Sequence, residues 1–358
     1  MSSACGGIPK LIPMRVNNVK RWDERIARAR RLAAEYPTAA DLLSFYASLA
    51  EYQKSLIEKQ GERGSDPLYT MAKMGTAPFF DTLDLEPVLA AIPDFLSWLQ
   101  RAAPAPLKKA AAEMRGVEPS AWRDLIDLYL SDDGQEFDAS PVASGFSRTD
   151  ARGTLASPSA PGFESSVRSG VSRPLEDLKP VAAFVVEAVL QPFAEQSAIR
   201  ERSEPRPSTS SGRPEPADGG IPDPKFRLPN PESRIPSSSA CRCPSCGSLP
   251  VVGVLREEGH GAKRTLVCGL CLTERDYLRV VCPACGEQRF DALPVYTADQ
   301  FEHVRIDACD SCRTYLKTID LTKNGLAVPL VDDIASVTMD LWARDGGYAR
   351  LRPNLLRM

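Results

Sequence analysis

The 358-residue sequence lacks most of the features that indicate an enzyme or a membrane protein. It contains only two histidines, and it has no nucleophile elbow, phosphate-binding glycine loop or Ser/His/Asp arrangement. There is no run of about 18 apolar residues, so no membrane-inserted segment is predicted. The amino-terminal residues also lack the apolar core of a secretory signal. We therefore expect a non-enzymatic protein that resides in the cytoplasm.

An excess of charge of one sign is also missing. The formal net charge is −3, and residues 241–358 contain fifteen basic and fifteen acidic side chains. Nucleic-acid-binding domains usually show a basic excess, because neutralisation of phosphates supplies most of their affinity. The balanced charge therefore argues against a nucleic-acid-binding protein.

Apolar periodicity predicts an all-helical domain over residues 1–200. Helices are predicted at 19–35, 38–60, 85–99, 107–114, 121–130 and 175–199. Residues 132–174 lose this periodicity and are expected to form a partly disordered surface insertion. Residues 201–240 contain nine prolines and eight serines and bury too little apolar surface to offset ordering, so they are predicted to be a linker.

The polar residues outside the cysteine-rich stretch are interpreted as structural. His260 and His303 are expected to be exposed loop histidines, and Asp332-Asp333 to be favourable charge near a helix N-terminus. The arginines of the first helix are interpreted as its solvated face. They are Arg21, Arg25, Arg28, Arg30 and Arg31.

Eight of the ten cysteines fall between residues 243 and 312, in four Cys-x-x-Cys pairs. The pairs are Cys243/Cys246, Cys268/Cys271, Cys282/Cys285 and Cys309/Cys312. Two residues between thiolates let one tight turn direct both sulfurs at one ion, and two such turns complete a tetrahedral site. Two of the pairs read Cys-Pro-x-Cys-Gly, in which proline fixes φ and glycine tolerates a positive φ. This is the knuckle of rubredoxins and zinc ribbons.

Metal binding is favoured over the other roles of paired cysteines. In a reducing compartment, clustered pairs are more often metal ligands or redox thiols than structural disulfides. A thioredoxin-like dithiol would lie beside a βαβ pattern, which is not present here. Cys5 and Cys241 stand outside the four pairs. Cys5 is expected to be an unligated tail residue, and Cys241, next to the first knuckle, is a candidate for redox lability.

The spacing of the pairs favours a sequential arrangement of two sites. The first site would contain Cys243, Cys246, Cys268 and Cys271, and the second Cys282, Cys285, Cys309 and Cys312. The loops between pairs are then 21 and 23 residues long, whereas a crossed arrangement encloses very unequal loops. Short β-like runs are predicted at 249–255, 263–267, 277–281, 293–296, 304–307 and 315–320, and a helix at 332–344.

These patterns predict an α+β multidomain protein. An N-terminal all-α helical bundle is followed by two tandem rubredoxin-like or zinc-ribbon modules. The first module is predicted at residues 241–275. The second is predicted at residues 276–358 and includes a C-terminal helix and tail.

The residues around the cysteines resemble the FdhE-type formate dehydrogenase accessory proteins. The resemblance lies in Cys243-Pro-Ser-Cys-Gly-Ser-Leu-Pro250, Arg264-Thr-Leu-Val-Cys-Gly-Leu-Cys271, Cys309-Asp-Ser-Cys-Arg-Thr-Tyr-Leu-Lys317 and Gly347-Tyr-Ala-Arg350. It is specific over residues 241–350, and segments 140–175 and 201–240 are insertions relative to the family. It implies a maturation factor that binds iron through the eight cysteines and contacts the catalytic subunit of a formate dehydrogenase before export. Zinc remains the alternative, because both metals accept tetrahedral thiolate ligands.

Two other functions remain open at this point. A rubredoxin-like electron-transfer protein would show a reversible visible spectrum and turnover with a reductase. A zinc-ribbon nucleic-acid binder is less favoured on charge. Self-association of the chain is left open.

Overall fold

A helical bundle and a mixed β-sheet make up the part of the chain that the structure describes. The computed structural model describes residues 15–62, 85–130, 179–203, 241–259 and 261–358. The expectations for Cys5, His260, the insertion at 132–174 and the linker from 204 to 240 lie outside the described residues.

Six helices form the N-terminal bundle. They are α1 (Arg15–Glu35), α2 (Ala40–Glu62), α3 (Glu86–Ala102), α4 (Ala105–Glu113), α5 (Pro119–Leu130) and α6 (Lys179–Ser203). Each predicted helix is present with bounds that differ by a few residues, as expected where helix ends fray. No helix in the described ranges is long and apolar enough to cross a membrane.

Helix α6 lies at the centre of this bundle. Every residue from 182 to 195 is buried, so the helix is covered on all sides by its neighbours. Phe184 packs against Phe95 of α3 and Phe45 of α2, with ring centroids 6.1 and 6.3 Å apart. Three polar residues are also buried along α6, namely Glu187, Gln191 and Glu195, and each needs a partner from another element.

Seven strands and two short helices follow in the cysteine-rich part of the chain. The strands are β1 (Pro250–Glu258), β2 (Gly261–Cys268), β3 (Glu274–Asp276), β4 (Val295–Thr297), β5 (Val304–Cys309), β6 (Thr314–Asp320) and β7 (Ala349–Arg350). The helices are α7 (Pro329–Ala335) and α8 (Val337–Asp345). Together with the helical bundle, this architecture confirms the predicted α+β class.

The two halves of the cysteine-rich region share one sheet. The strand order is β3-β2-β1-β6-β5-β4, with β7 beside β6, and the parallel pairing of β1 with β6 joins two antiparallel halves. Gly253 of β1 lies opposite Thr318 of β6, and a Cβ on Gly253 would lie 2.3 Å from the Thr318 Oγ1. A side chain at residue 253 would therefore require Thr318 to shift.

Two predicted elements of the sheet region are wrong in detail. Residues 277–281 form no strand, because the Arg264 guanidinium binds the carbonyls of Leu278, Arg279 and Val281 that a neighbouring strand would otherwise use. The predicted helix at 332–344 is two helices that meet at Ser336. The buried Lys317 ammonium donates to the carbonyl oxygens of Asp333 and Ser336, which interrupts the helical hydrogen-bond pattern.

The interpretation of the α1 arginines as a solvated face is wrong for two of the five. Arg25 and Arg28 are buried, whereas Arg21, Arg30 and Arg31 are exposed. The Arg25 Nη1 donates to Glu195 Oε2 at 2.9 Å, and the Arg28 Nε donates to Asp332 Oδ2 at 3.0 Å. Burial is tolerated because each guanidinium is paired with a carboxylate. The second pair joins the helical bundle to α7 of the sheet domain.

His303 and Asp332 also differ from expectation. His303 is 12% exposed at its side chain, and its Nε2 lies 2.7 Å from Asp332 Oδ1. Asp332 does lie in the first turn of α7, where its Oδ2 accepts from the Val328 N–H at 2.7 Å. It is nevertheless a buried partner of Arg28 and His303 rather than a solvated charge.

Candidate metal centres

The four Cys-x-x-Cys turns share one backbone conformation. The residue after the second cysteine of each pair has a positive φ, which is 66° at Gly247, 54° at Leu272, 78° at Gly286 and 56° at Arg313. Glycine adopts this conformation freely, whereas other residues lose roughly 1–2 kcal/mol there. At the plainer pairs, tertiary contacts must therefore hold the turn.

Those contacts are visible at both non-glycine positions. Leu272 is buried in the core, with 4% of its surface exposed. The Arg313 guanidinium lies 4.0 Å from the centroid of the Tyr348 ring and donates to the carbonyl oxygen of Gly346. The four knuckles are thus equivalent in geometry although only two carry the glycine signature.

Backbone N–H groups point at the sulfurs within these turns. The N–H of Leu270 donates to Cys268 Sγ, and the N–H of Ala284 donates to Cys282 Sγ, both at 3.4 Å. In the first and third pairs the turn is also closed by a backbone bond to a carbonyl oxygen, from the Gly247 N–H to Cys243 O at 2.7 Å and from the Gly286 N–H to Cys282 O at 3.0 Å, which leaves the N–H groups of Leu270 and Ala284 as the donors to sulfur. Such donors stabilise negative charge on sulfur and favour thiolate.

The first cysteine quartet is fully buried. Cys243, Cys246, Cys268 and Cys271 place their sulfurs within 4.8 Å of one another. The Cys243 and Cys271 sulfurs are 3.5 Å apart, and the Cys246 and Cys268 sulfurs are 3.3 Å apart. All four cysteines are free and none is disulfide-bonded.

The second quartet has the same arrangement but lies at the surface. Cys282, Cys285, Cys309 and Cys312 also converge within 4.8 Å, and both the Cys282–Cys312 and the Cys285–Cys309 sulfurs are 3.7 Å apart. Cys285 is exposed and Cys312 is half-buried. The two centres therefore differ in access to solvent and to other molecules.

Both quartets fit a tetrahedral metal ion. With metal–sulfur bonds of about 2.3 Å, the sulfurs of a tetrahedral site lie about 3.8 Å apart, close to the observed separations. The structure brings together the sequential sets, and the crossed arrangement does not occur. In the described ranges these two quartets are the groups with metal-ligand geometry, and His303 joins neither. Four thiolates suit iron and zinc equally.

The ionisation of the second quartet also depends on a cation. Burial raises the pKa of the Cys282 thiol and raises the pKa of Cys285 to about 11. Four adjacent thiolates would repel one another strongly without a positive charge between them. A divalent or trivalent ion held by the four sulfurs would supply that charge.

Comparison with known proteins places these quartets in one family. Residues 242–279 match the model described as "FdhE, central domain", and residues 280–357 match "FdhE, C-terminal domain". Residues 242–357 thus carry the central and C-terminal domains of the FdhE family. All eight paired cysteines lie within the matched residues.

Several curated relatives are similar in sequence to about a third of the chain. The "Protein FdhE homolog" of Aquifex aeolicus is 41% identical over 116 residues, which is 32% of this chain and 41% of that relative. That of Pseudomonas putida is 35% identical over 128 residues, covering 34% of this chain and 40% of the relative. The chain thus spans about two fifths of the length of these relatives.

A solved structure shows the same fold over nearly the whole chain. The FdhE protein from Pseudomonas aeruginosa superposes with a TM-score of 0.58 at 23% identity, covering 94% of this chain and 96% of that one. Because the superposition covers 94% of this chain, the shared fold extends beyond the residues that match the family models.

A buried arginine connects the first quartet to the helical bundle. The Arg352 Nη1 donates to Ser248 Oγ at 2.7 Å, and its Nη2 donates to the Tyr129 hydroxyl at 2.6 Å and Glu187 Oε1 at 3.1 Å. A Cβ on Gly269, between the cysteines of the second pair, would lie 2.2 Å from Arg352 Nε. Sequence reasoning missed Arg352, because its partners in the bundle are 165 and 223 residues away.

The difference in exposure predicts two rates of metal loss. A hydrophilic chelator should remove the ion from the second quartet at least about tenfold faster than the ion from the first, because release from a buried site needs local opening. We would follow release with a colorimetric chelator and count the remaining ions by mass spectrometry. In the Cys285→Ser variant the fast phase should be absent. A single phase for both ions in the wild-type protein would contradict this difference.

Proposed function

We propose that this protein is a maturation factor for a formate dehydrogenase. It binds the unfinished catalytic subunit in the cytoplasm and releases it for export once assembly is complete. The single observation that carries the proposal is the match of residues 242–357 to FdhE domains, with both sulfur quartets within it. The absence of a recognisable catalytic constellation in the sequence agrees with an accessory role rather than an enzymatic one.

The two metal sites would have different roles, the first in the stability of the fold and the second in contact with a partner. The eight paired cysteines would each ligate iron, with zinc as the alternative, and the ion would supply the positive charge that keeps the thiolates ionised. The first quartet, packed against Gln191 and Arg352, fixes the helical bundle on the sheet. The second quartet carries Cys285 at the surface, where its sulfur is accessible to a partner or an oxidant.

The bundle and the sheet present one rigid surface to the partner. The Gln191 Nε2 of α6 donates to the Gly269 carbonyl at 3.1 Å. At another point of the same interface, the rings of Tyr36 and Phe301 stack with centroids 4.7 Å apart. Because buried charged and aromatic contacts connect the two parts, a bound polypeptide would meet both in a fixed orientation.

The proposal is tested by co-purification from cells that express a respiratory formate dehydrogenase. We expect the dehydrogenase catalytic subunit to be the dominant protein recovered with the tagged wild-type chain, as identified by mass spectrometry. The Lys109→Gln variant, which changes an exposed side chain of the bundle, serves as a control and should retain the partner equally. Recovery of nucleic acid or of a reductase in place of the catalytic subunit would refute the proposal.

The exposure of Cys285 and Cys312 favours one second candidate, a rubredoxin-like electron-transfer protein. Electron exchange with a partner requires a metal centre near the surface, which the second quartet provides. This function predicts a visible spectrum that bleaches and returns on reduction and reoxidation, and turnover with a reductase. A maturation factor requires partner binding without such turnover.

A further inference from the structure

A cleft of about 330 Å³ lies beside the second quartet. Cys282 contributes to one wall, and strands β5 and β6 provide the floor through Ala308 and Leu316. The segment from Arg279 to Pro283 forms another wall. The metal ligation described above leaves this space unused.

The charged side chains that line the cleft are mostly basic. They are Arg264, Arg279, Arg305 and Asp307, so three guanidinium groups face one carboxylate. Asp307 is already engaged by two of them, since its Oδ2 lies 3.0 Å from the Arg264 Nη2 and its Oδ1 lies 2.8 Å from the Arg305 Nε. Its Oδ2 also accepts from the Thr318 hydroxyl at 2.8 Å. These four side chains sum to a charge of +2, beside a cysteine centre that four thiolates and a divalent ion would leave at −2, so a preference for an acidic group depends on the guanidinium donors themselves.

Arg264 is the most informative of these residues. Its side chain is 2% exposed, and its Nη1 donates to the carbonyl oxygen of Val281 at 3.2 Å. Its Nη2 is already paired with Asp307, but its Nε makes no hydrogen bond with any residue in the described ranges. A buried donor without an acceptor is costly, and a carboxylate oxygen is a suitable acceptor for it.

The rim of the cleft is apolar and exposed. Phe290 is 84% exposed, Val295 51% and Val280 48%, and all three line the cleft. Exposed aromatic and aliphatic side chains around a charged pocket are typical of surfaces that bind another protein. The rim extends the contact beyond what a small anion would fill.

We propose that this cleft binds an acidic side chain of a partner polypeptide whose neighbouring apolar side chains pack on Phe290, Val280 and Val295. The proposal rests on the proposed function, because the partner is the polypeptide that this protein accompanies. The volume lies at the lower end of the range for ligand pockets, about 300–1,000 Å³, which suits one or two side chains rather than a large cofactor. The basic wall selects Asp or Glu over Lys or Arg.

Peptide binding tests the chemistry directly. The probe is a fluorescein-labelled peptide in which Glu alternates with Leu and Phe, measured by anisotropy against the same peptide with Gln for Glu. The Glu peptide should bind at least about tenfold more tightly, since it alone forms charge-assisted hydrogen bonds. Equal affinities for the two peptides would overturn the proposal.

Surface variants locate the binding without disturbing the fold. Arg279→Gln and Phe290→Ser change exposed residues of the cleft, while Arg344→Gln and Leu326→Ser change exposed residues that do not line it. Each cleft variant should weaken binding of the Glu peptide about tenfold, and Arg279→Gln should also reduce the preference over the Gln peptide, whereas Phe290→Ser should leave that preference unchanged. Equal effects of the cleft and control variants would place the binding elsewhere.

The same variants separate this inference from the proposed function. If wild-type protein retains the dehydrogenase subunit and the cleft variants retain it equally, the cleft inference fails and the maturation role stands. If the peptide results are as expected but no dehydrogenase subunit is retained by the wild-type protein, the cleft inference stands and the maturation role fails.

Discussion

Replacement of Cys268 by serine is expected to remove one metal ion and to loosen the helical bundle from the sheet. Cys268 ends β2, and the adjacent Gly269 carries the carbonyl that accepts from Gln191 and packs against Arg352. Structural metal binding in small Cys-rich modules is worth roughly 10–16 kcal/mol and is largely folding free energy. Loss of the ion should therefore disorder the knuckle around Gly269, which contacts the helical bundle through Gln191.

The matched control is Cys285→Ser, which removes a ligand from the exposed quartet. Both variants should lose one of two ions by elemental analysis. Only Cys268→Ser should also raise the rate of amide hydrogen exchange in α5 and α6, because the first quartet's turn accepts a hydrogen bond from Gln191 of α6 and adjoins Arg352, which bonds Tyr129 of α5. A Cys268→Ser protein that keeps two ions, or whose bundle remains as protected as in Cys285→Ser, would contradict this assignment.

Replacement of Asp332 by alanine should destabilise the protein by about 3–5 kcal/mol, because it leaves the buried Arg28 guanidinium without its partner. The Arg28 and Asp332 side chains are 7% and 1% exposed, and Asp332 also accepts from His303 and the Val328 N–H. Urea unfolding of the variant and the wild-type protein measures this decrease in the free energy of unfolding. The double variant Arg28→Met with Asp332→Ala should recover part of it, since no unpaired charge remains. Asp345→Ala, at an exposed position of α8, is the control and should change little.

The buried carboxylates of Asp332 and Asp333 predict that the protein loses stability in acid. Burial alone would raise the pKa of Asp332, but the His303 hydrogen bond and the Arg28 ion pair lower it below its ordinary value. Burial likewise opposes ionisation of Asp333, whose pKa Arg350 and Lys317 lower. A carboxyl whose pKa is depressed in the folded state contributes its full stabilisation above the ordinary carboxyl pKa of about 4. That stabilisation is lost as the pH falls through the folded-state pKa. The free energy of unfolding of the wild-type protein, measured by urea unfolding at decreasing pH, should fall in this range. The fall should be smaller for the Asp332→Ala variant, which lacks one of the two carboxyls.

The knuckles and their pairing were predictable because the rules that govern them are local. Two residues between cysteines, a following glycine and near-equal loops were enough to identify both quartets. The positive φ at Leu272 and Arg313 was not predictable in this way. Nothing in those residue types favours the left-handed region, and the contacts that hold them, such as that of Arg313 with Tyr348, are made by distant residues.

The interface between bundle and sheet was missed for a related reason. Arg28 and Asp332 are 304 residues apart in the sequence, and each alone looks like an ordinary surface charge of a helix. The union of two modules into one sheet was missed as well, since it depends on a parallel pairing of β1 with β6 that spacing does not encode. Gly253 was the available signal, as a glycine within a strand often marks a close backbone approach.

The central claim is that eight cysteines form two sulfur-only metal centres, and X-ray absorption at the metal edges of the purified protein tests it most directly. We expect two ions per chain, each with four sulfur neighbours at about 2.3 Å and no nitrogen or oxygen ligand. Cys285→Ser should keep one such centre intact. Fewer than two ions in the wild-type protein, a nitrogen or oxygen ligand at either, or disulfides within the quartets would contradict the claim.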